Sequence, residues 1–411
     1  VRKYLAAGAV ALSVLLTAPA APALAQPALP SGQQQACLGK PPASDPAVPW
    51  AQQQLAPQRV WTLTNGAGIV VGVVDTGVDA NTPQLAGHVQ AGTDVLNPGG
   101  GTGNSDCFGH GTFVAGIIAA SPLDGTGFTG VAPGAQILPV RVANNADDVS
   151  AASIATGIRA AVDGGARVIN VSASTTVQLP ALQDAVAYAE SRDVVLIASA
   201  ANSAKNGDPV TYPASYPTVI AVGAIDSAGQ RADFSQTGPY LGLVAPGVNV
   251  VSVGPGGPGQ WQGSGTSYAA PFVTATAALI RAYRPGLSAA QVRHRLQVTA
   301  DHPAAKLPDP ELGWGTVNPV AAVSAVLPEE SGDAGRTVKA EPAHAPVVQP
   351  LDKVGPLLVV LGLFVALLLA FVLVLWRRIG PAGHRRQWRR GRVIRPVEPP
   401  SPDREKAPDH A

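Results

Sequence analysis

From residue 68 onward, short apolar runs alternate with longer stretches of helical pattern. The runs 69–74, 137–142, 168–171, 194–198, 219–222 and 248–253 are nearly continuous in Val, Ile, Leu and Ala. Runs so short and so uniformly apolar predict strands buried on both faces. Between them, 150–163, 180–191 and 269–283 predict helices, and 113–120 is a shorter helix-like run. A further helix at 288–300 opens with Ser288 and Gln291 at the spacing of a capping box. Buried strands alternating with helices predict an α/β fold of three layers, with a mainly parallel central sheet.

Outside this region the pattern changes. Residues 1–25 predict a secretory signal: Arg2 and Lys3 precede an apolar stretch, and Ala23-Leu24-Ala25 offers a small-residue cleavage site before Gln26. The alternative is a signal anchor kept in the membrane. Residues 26–58 are rich in Pro, Gln and Ala and predict an N-terminal extension, either an extended wrap or a flexible leader. The globular domain is expected over 59–327. Residues 328–353 carry acids, Gly and four Pro, the composition of an extended linker. Residues 354–376 carry no charge and are long enough to cross a hydrocarbon core of about 30 Å. A buried core helix is the alternative, but 377–395 holds eight Arg and no acid. That asymmetry predicts a cytoplasmic basic tail, 377–411, and a globular part on the outer face of the cytoplasmic membrane.

The formal net charge of +1 hides an uneven distribution. Residues 4–376 hold 16 basic and 23 acidic side chains, a net −7. The exported part is therefore mildly acidic, and no nucleic-acid partner is expected. The tail is read as a topology and anionic-lipid signal. Two cysteines, Cys37 and Cys107, in an exported chain predict one disulfide, with free thiols or an intermolecular bridge as alternatives. Closing that 70-residue loop stabilises by roughly 4 kcal/mol in the chain-entropy model.

Three segments carry candidate chemistry: Val-Val-Asp-Thr-Gly at 73–77, Gly-His-Gly-Thr at 109–112 and Gly-Thr-Ser-Tyr-Ala at 265–269. Asp75 closes a predicted strand, where catalytic groups gather in open α/β sheets. A carboxylate there can hold the ring tautomer of His110, which can act as general base toward Ser267. Ser267 heads a predicted helix, so backbone N–H groups can face a developing oxyanion. Pro271 is expected to be tolerated because the first N–H groups of a helix lack intrahelical partners. Asp-Thr-Gly also occurs in aspartic proteases, but those need two such carboxylates and the chain has one. No His or Cys cluster has metal-ligand spacing, so no metal or cofactor is expected.

The order Asp, His, Ser with these motifs resembles the subtilisin-like serine proteases over about residues 60–325. That resemblance implies an endopeptidase acting on polypeptide, and two further features. The run 194–202 is similar to the strand that delivers an oxyanion-hole Asn, here Asn202, although Ala201 stands where the family usually has Gly. The run 168–174 is similar to the strand whose edge takes the substrate as an added strand, with Ser172, Ala173 and Ser174 bordering the pocket. Phe113 stands where many relatives have His. The whole layout, with Cys37, a second Cys just before the His motif, a terminal span and a basic tail, resembles the mycosins. Those are membrane-anchored subtilases of type VII secretion systems. The resemblance implies association with a secretion membrane complex. It also implies the competing reading of a structural component in which proteolysis is secondary.

Overall fold

Five of the six apolar runs become strands of a seven-stranded sheet, which consists of β1 (Val70–Asp75), β2 (Thr93–Asp94), β3 (Gln136–Arg141), β4 (Val168–Val171), β5 (Val195–Ser199), β6 (Ile220–Ile225) and β7 (Leu241–Pro246). All neighbours are parallel, in the order β2-β3-β1-β4-β5-β6-β7. This computed structural model describes residues 27–29, 37–41, 44–145, 148–330, 367–371, 373, 374 and 377.

The α-helices of the first 330 residues, among those described, are α1 (Trp50–Leu55), α2 (His110–Ala119), α3 (Ala151–Asp163), α4 (Pro180–Ser191), α5 (Thr266–Tyr283), α6 (Ala289–Val298) and α7 (Pro319–Ser324). Alternate strand residues face opposite layers, as the pleat requires. Val71, Val73, Val195 and Ile197 pack with α2 and α5, whereas Val74, Leu196 and Ala198 pack with α3 and α4. Both faces are covered, which explains why the strands read as continuous apolar runs. The Ser288–Gln291 capping box is formed, and Ser150 with Ser153 makes a second one at the head of α3.

Strand order reverses about β1: the chain builds β2 and β3 on one side, then β4 to β7 on the other. Beyond the carboxyl ends of β1 and β4 lies the crevice that such a reversal creates. Asp75 ends β1, and Ser172 follows the last residue of β4.

Three expectations are corrected. The run 248–253 is not part of the parallel sheet. Val250–Val253 forms β8 and pairs antiparallel with β9 (Gln260–Gly263) across a Gly/Pro turn. Asn249, at φ 51°, bends the chain away after β7. In its place β7 supplies the seventh strand, which Gly242 and Pro246 had obscured. Finally, β4 has no free edge, because β1 and β5 pair with its two sides. Ser172–Ser174 lies past the strand end.

Described parts of the N-terminal extension are bound to the domain. Leu29 N–H donates to the Gln262 carbonyl at 2.7 Å, and Gln262 N–H to that of Pro27 at 2.9 Å. Cys37 and Cys107 form a disulfide, and Leu38 N–H donates to the Cys107 carbonyl at 2.8 Å.

The chain divides into two units, Val1–Arg336 and Thr337–Ala411. In the second, the described residues are helical and exposed. Most of the predicted span 354–376 lies outside the described residues, as do the signal 1–25, the linker after residue 330 and the tail beyond 377. Among the described residues, no helix is long and apolar enough to cross a membrane.

Candidate active site

Asp75 is carried to the carboxyl end of the sheet by β1 and is 4% exposed. Its Oδ1 lies 2.7 Å from His110 Nδ1 and also accepts the Thr76 N–H at 2.8 Å. His110 is the first residue of α2, which follows Gly109 at φ +92°. Gly111 lets the helix start approach β1: a Cβ there would meet the Gly77 carbonyl oxygen at 2.0 Å. Of the two glycines that flank His110, Gly111 serves this backbone contact, whereas Gly109 takes the left-handed backbone and leaves room for the Leu38 side chain.

Burial pulls the His110 imidazole toward its neutral form. The Asp75 carboxylate, with a smaller contribution from Asp106, outweighs that and holds its pKa above the ordinary 6.5. The ring packs against Tyr268 with centroids 5.1 Å apart, and Tyr268 rests on Phe113 at 4.6 Å. Phe113 is fully buried, so an apolar file backs the imidazole.

Ser267 is the second residue of α5 and is 9% exposed. Its Oγ makes no hydrogen bond among the described residues, and it lines one cleft with Asp75 and His110. The cleft encloses about 330 Å³. Ser172, Ala173, Ser174, Ser199, Ala201 and Asn202 line it too. The structure therefore brings every sequence-predicted cleft residue to one place.

Asn202 is held by Thr266. Its Oδ1 accepts the Thr266 N–H at 2.8 Å and the Thr266 hydroxyl at 2.9 Å. With the carbonyl end fixed, the amide nitrogen is the end left to donate. Both side chains border Gly265, where a Cβ would meet Ser267 Oγ at 3.1 Å and Asn202 Nδ2 at 3.4 Å. Ala201 does take up the backbone its position demands, at φ +80°.

The expectation about Pro271 needs revision. Pro271 is the sixth residue of α5, beyond the four N–H groups that lack partners. Its missing N–H orphans the Ser267 carbonyl, and the Ser172 hydroxyl donates to that carbonyl at 3.0 Å. Ser172 accepts in turn from the buried Asn170 at 2.8 Å, and Asn170 accepts from Thr274 at 2.9 Å. Ser172 thus ties the end of β4 to the first turn of α5 as well as lining the cleft. The roles of Asn170, Thr266 and Thr76 were missed from sequence; their one signal was their place within the quoted segments.

A buried carboxylate paired with an imidazole, a serine at a helix start and an amide donor beside it form the equipment for acyl transfer through a covalent intermediate. The subtilase (peptidase S8) family model matches residues 66–315, and the chain belongs to that family. It is a serine-type protease related to the mycosins. Mycosin-3 of Mycobacterium tuberculosis (strain ATCC 25618 / H37Rv) is 35% identical over 390 residues, covering 79% of this chain and 83% of that protein. Subtilisin E of Bacillus subtilis (strain 168) is 38% identical over 260 residues, covering 62% and 67%. The solved MycP3 protease from the type VII (ESX-3) secretion system superposes with a TM-score of 0.61 at 37% identity, covering 73% of this chain and 95% of that one.

Proposed function

We propose that Asp75, His110 and Ser267 act as a catalytic triad in a membrane-anchored, mycosin-like endopeptidase. Ser267 Oγ bonds to the scissile carbonyl carbon while its proton passes to His110 Nε2. His110 returns that proton to the leaving nitrogen as the C–N bond breaks. Water, deprotonated by His110, then hydrolyses the acyl-enzyme and restores Ser267. Asp75 fixes the tautomer and steadies the imidazolium. Asn202 Nδ2 and the Ser267 N–H donate to the oxyanion. The polypeptide runs past Ser172–Ser174, with Ala201 on the opposite wall.

The observation that carries this reading is the 2.7 Å Asp75–His110 contact in the cleft that Ser267 lines. A fluorophosphonate probe tests it on the full chain in detergent: wild type should label and Ser267→Ala should not. An unlabelled but folded wild type would overturn the reading.

The anchored topology rests on the uncharged run 354–376 and the Arg-rich segment behind it. The domain reading goes with it: extension 26–58, peptidase domain 59–327, linker 328–353 and cytoplasmic tail 377–411. Association with a type VII secretion membrane complex is supported by the likeness to solved proteases of the ESX-1 and ESX-3 type VII secretion systems. Retention of the chain in membranes after alkaline carbonate extraction tests the anchor. Secretion by a Ser267→Ala strain, set beside a deletion strain, separates proteolysis from scaffold duty.

A further inference from the structure

Beneath the Asp75–His110 pair lies a second carboxylate, Asp106, 5% exposed. Each of its oxygens accepts two hydrogen bonds. Oδ1 takes the Thr76 hydroxyl at 2.9 Å and the Gly109 N–H at 2.8 Å. Oδ2 takes the Thr112 N–H at 2.8 Å and the Thr112 hydroxyl at 2.7 Å. Among the described residues no basic side chain forms an ion pair with it. A buried carboxylate without a counter-ion is costly and persists only where donors satisfy it.

Those four bonds reach both sides of the catalytic pair. Gly109 is the N-cap of α2 and Thr112 its third residue, so Asp106 ties down the turn that begins with His110. Thr76 adjoins Asp75 in sequence and in space. Its hydroxyl accepts the Gly111 N–H at 3.0 Å and lies 2.9 Å from Asp106 Oδ1 but 3.3 Å from Asp75 Oδ1. A hydroxyl has one proton, and the shorter contact gives it to Asp106. The Asp75 oxygen is then left to His110 and the Thr76 N–H.

We propose that Asp106 is a positioning residue of the catalytic site, holding Asp75 through Thr76 and His110 through the first turn of α2, and adding its negative charge to the field that favours the imidazolium. This rests on the triad reading above. The other titratable groups facing the network are Asp75 on β1, His110 on α2 and Tyr268 on α5, whose phenol burial and the two carboxylates keep protonated, with Lys40 and Asp79 lining a cavity that Asp106 shares. From β3, Arg141 reaches the Thr76 carbonyl at 3.1 Å. Burial, with help from Asp75 and against the bonds from Thr112 and Gly109, pushes the Asp106 carboxyl up to about 6. A proton there would turn one acceptor oxygen into a donor aimed at other donors, so the four hydrogen bonds are all made only in the ionised form, although burial disfavours it.

The test is the second-order rate of fluorophosphonate labelling between pH 5 and 9, on full-length wild type, Asp106→Asn and Thr76→Val. Melting temperature reports folding. Asp106→Asn should label about 10- to 100-fold more slowly per folded molecule at pH 8, the scale of a small misplacement of reacting groups. Its acid limb should move to lower pH, because a negative charge near the imidazole is gone. Thr76→Val cuts the bridge and keeps the carboxylate. It should slow labelling while its acid limb stays nearer that of wild type, and it carries the test if Asp106→Asn does not fold. Superimposable rate profiles for wild type and a folded variant would overturn the proposal, as would a lowered melting temperature alone. Failure of the wild type itself to label would instead sink the triad reading.

Discussion

The Ser172 hydroxyl donates to the Ser267 main-chain carbonyl, the acceptor that Pro271 leaves without a partner inside its own helix. A residue expected only to border the substrate pocket therefore also repairs the helix that presents the nucleophile. Ser172→Ala should destabilise by about 1 to 3 kcal/mol, the range for a buried polar group left unsatisfied. Pro271→Ala restores the N–H, so the same substitution in that background should cost much less. Urea unfolding of the four proteins checks this. An equal cost in both backgrounds would sever the link between Pro271 and Ser172.

Asn202 and Thr266 should separate binding from turnover. Losing the Asn202 amide should lower kcat about 10²- to 10³-fold with little change in KM, a scale established on a subtilisin itself. Thr266→Val keeps the backbone donor to Asn202 and removes the hydroxyl. Its effect on kcat should have the same sign and be smaller. Peptide hydrolysis at saturating and limiting substrate distinguishes the two constants. A rise in KM alone would place Asn202 in ground-state binding.

Ala201 occupies the left-handed region at φ +80° while 7% exposed. A Cβ in that region costs roughly 1 to 2 kcal/mol, part of which glycine gives back through the entropy of the unfolded chain. Ala201→Gly should therefore stabilise the domain by about 0.5 to 1 kcal/mol, read as a higher denaturation midpoint at unchanged slope. A loss of stability would show that the Ala methyl packs favourably enough to outweigh its strain.

The pH dependence follows from His110 and Asp106. General-base catalysis needs neutral His110, whose folded pKa is held above 6.5. Acylation should therefore fall as pH drops through a midpoint above 6.5. A midpoint below 6.5 would contradict the pairing with Asp75. For stability, the sign is that of raised folded values. His110 contributes most below 6.5, and its contribution is lost as pH rises through its folded value. Asp106, raised from 3.8 to about 6, likewise favours the folded state when protonated and loses that contribution as pH rises through 6. The urea midpoint of Asp106→Asn should accordingly depend less on pH between 4 and 7 than that of wild type.

The parallel strands were legible in sequence because burial on both faces leaves continuous apolar runs, as at Val195–Ser199. The chain order and the Gly-flanked motifs of Asp75, His110 and Ser267 pointed to one cleft. The same cue misread 248–253, since an apolar hairpin strand and a sheet strand share a pattern. It also missed β7, where Gly242 and Pro246 interrupt the apolar run. Polar partners were the least visible. Thr266, Asn170 and Asp106 work through hydrogen bonds to residues distant in sequence, apart from local contacts such as Asp106 to Thr112, and residue type alone does not reveal such bonds.

The bond between Cys37 and Cys107 makes residues 37–107 a covalent ring. Asp75 lies inside that ring, and His110 stands three residues outside it. A single nick anywhere between the two cysteines opens the ring without freeing either end. The leading segment, Asp75 and the rest of the chain would migrate as one species on a non-reducing gel and as two under reduction. Cutting the extension after Cys37 and its departure are thus separate events, and a fragment seen only under reducing conditions would still be tethered to the rest of the enzyme.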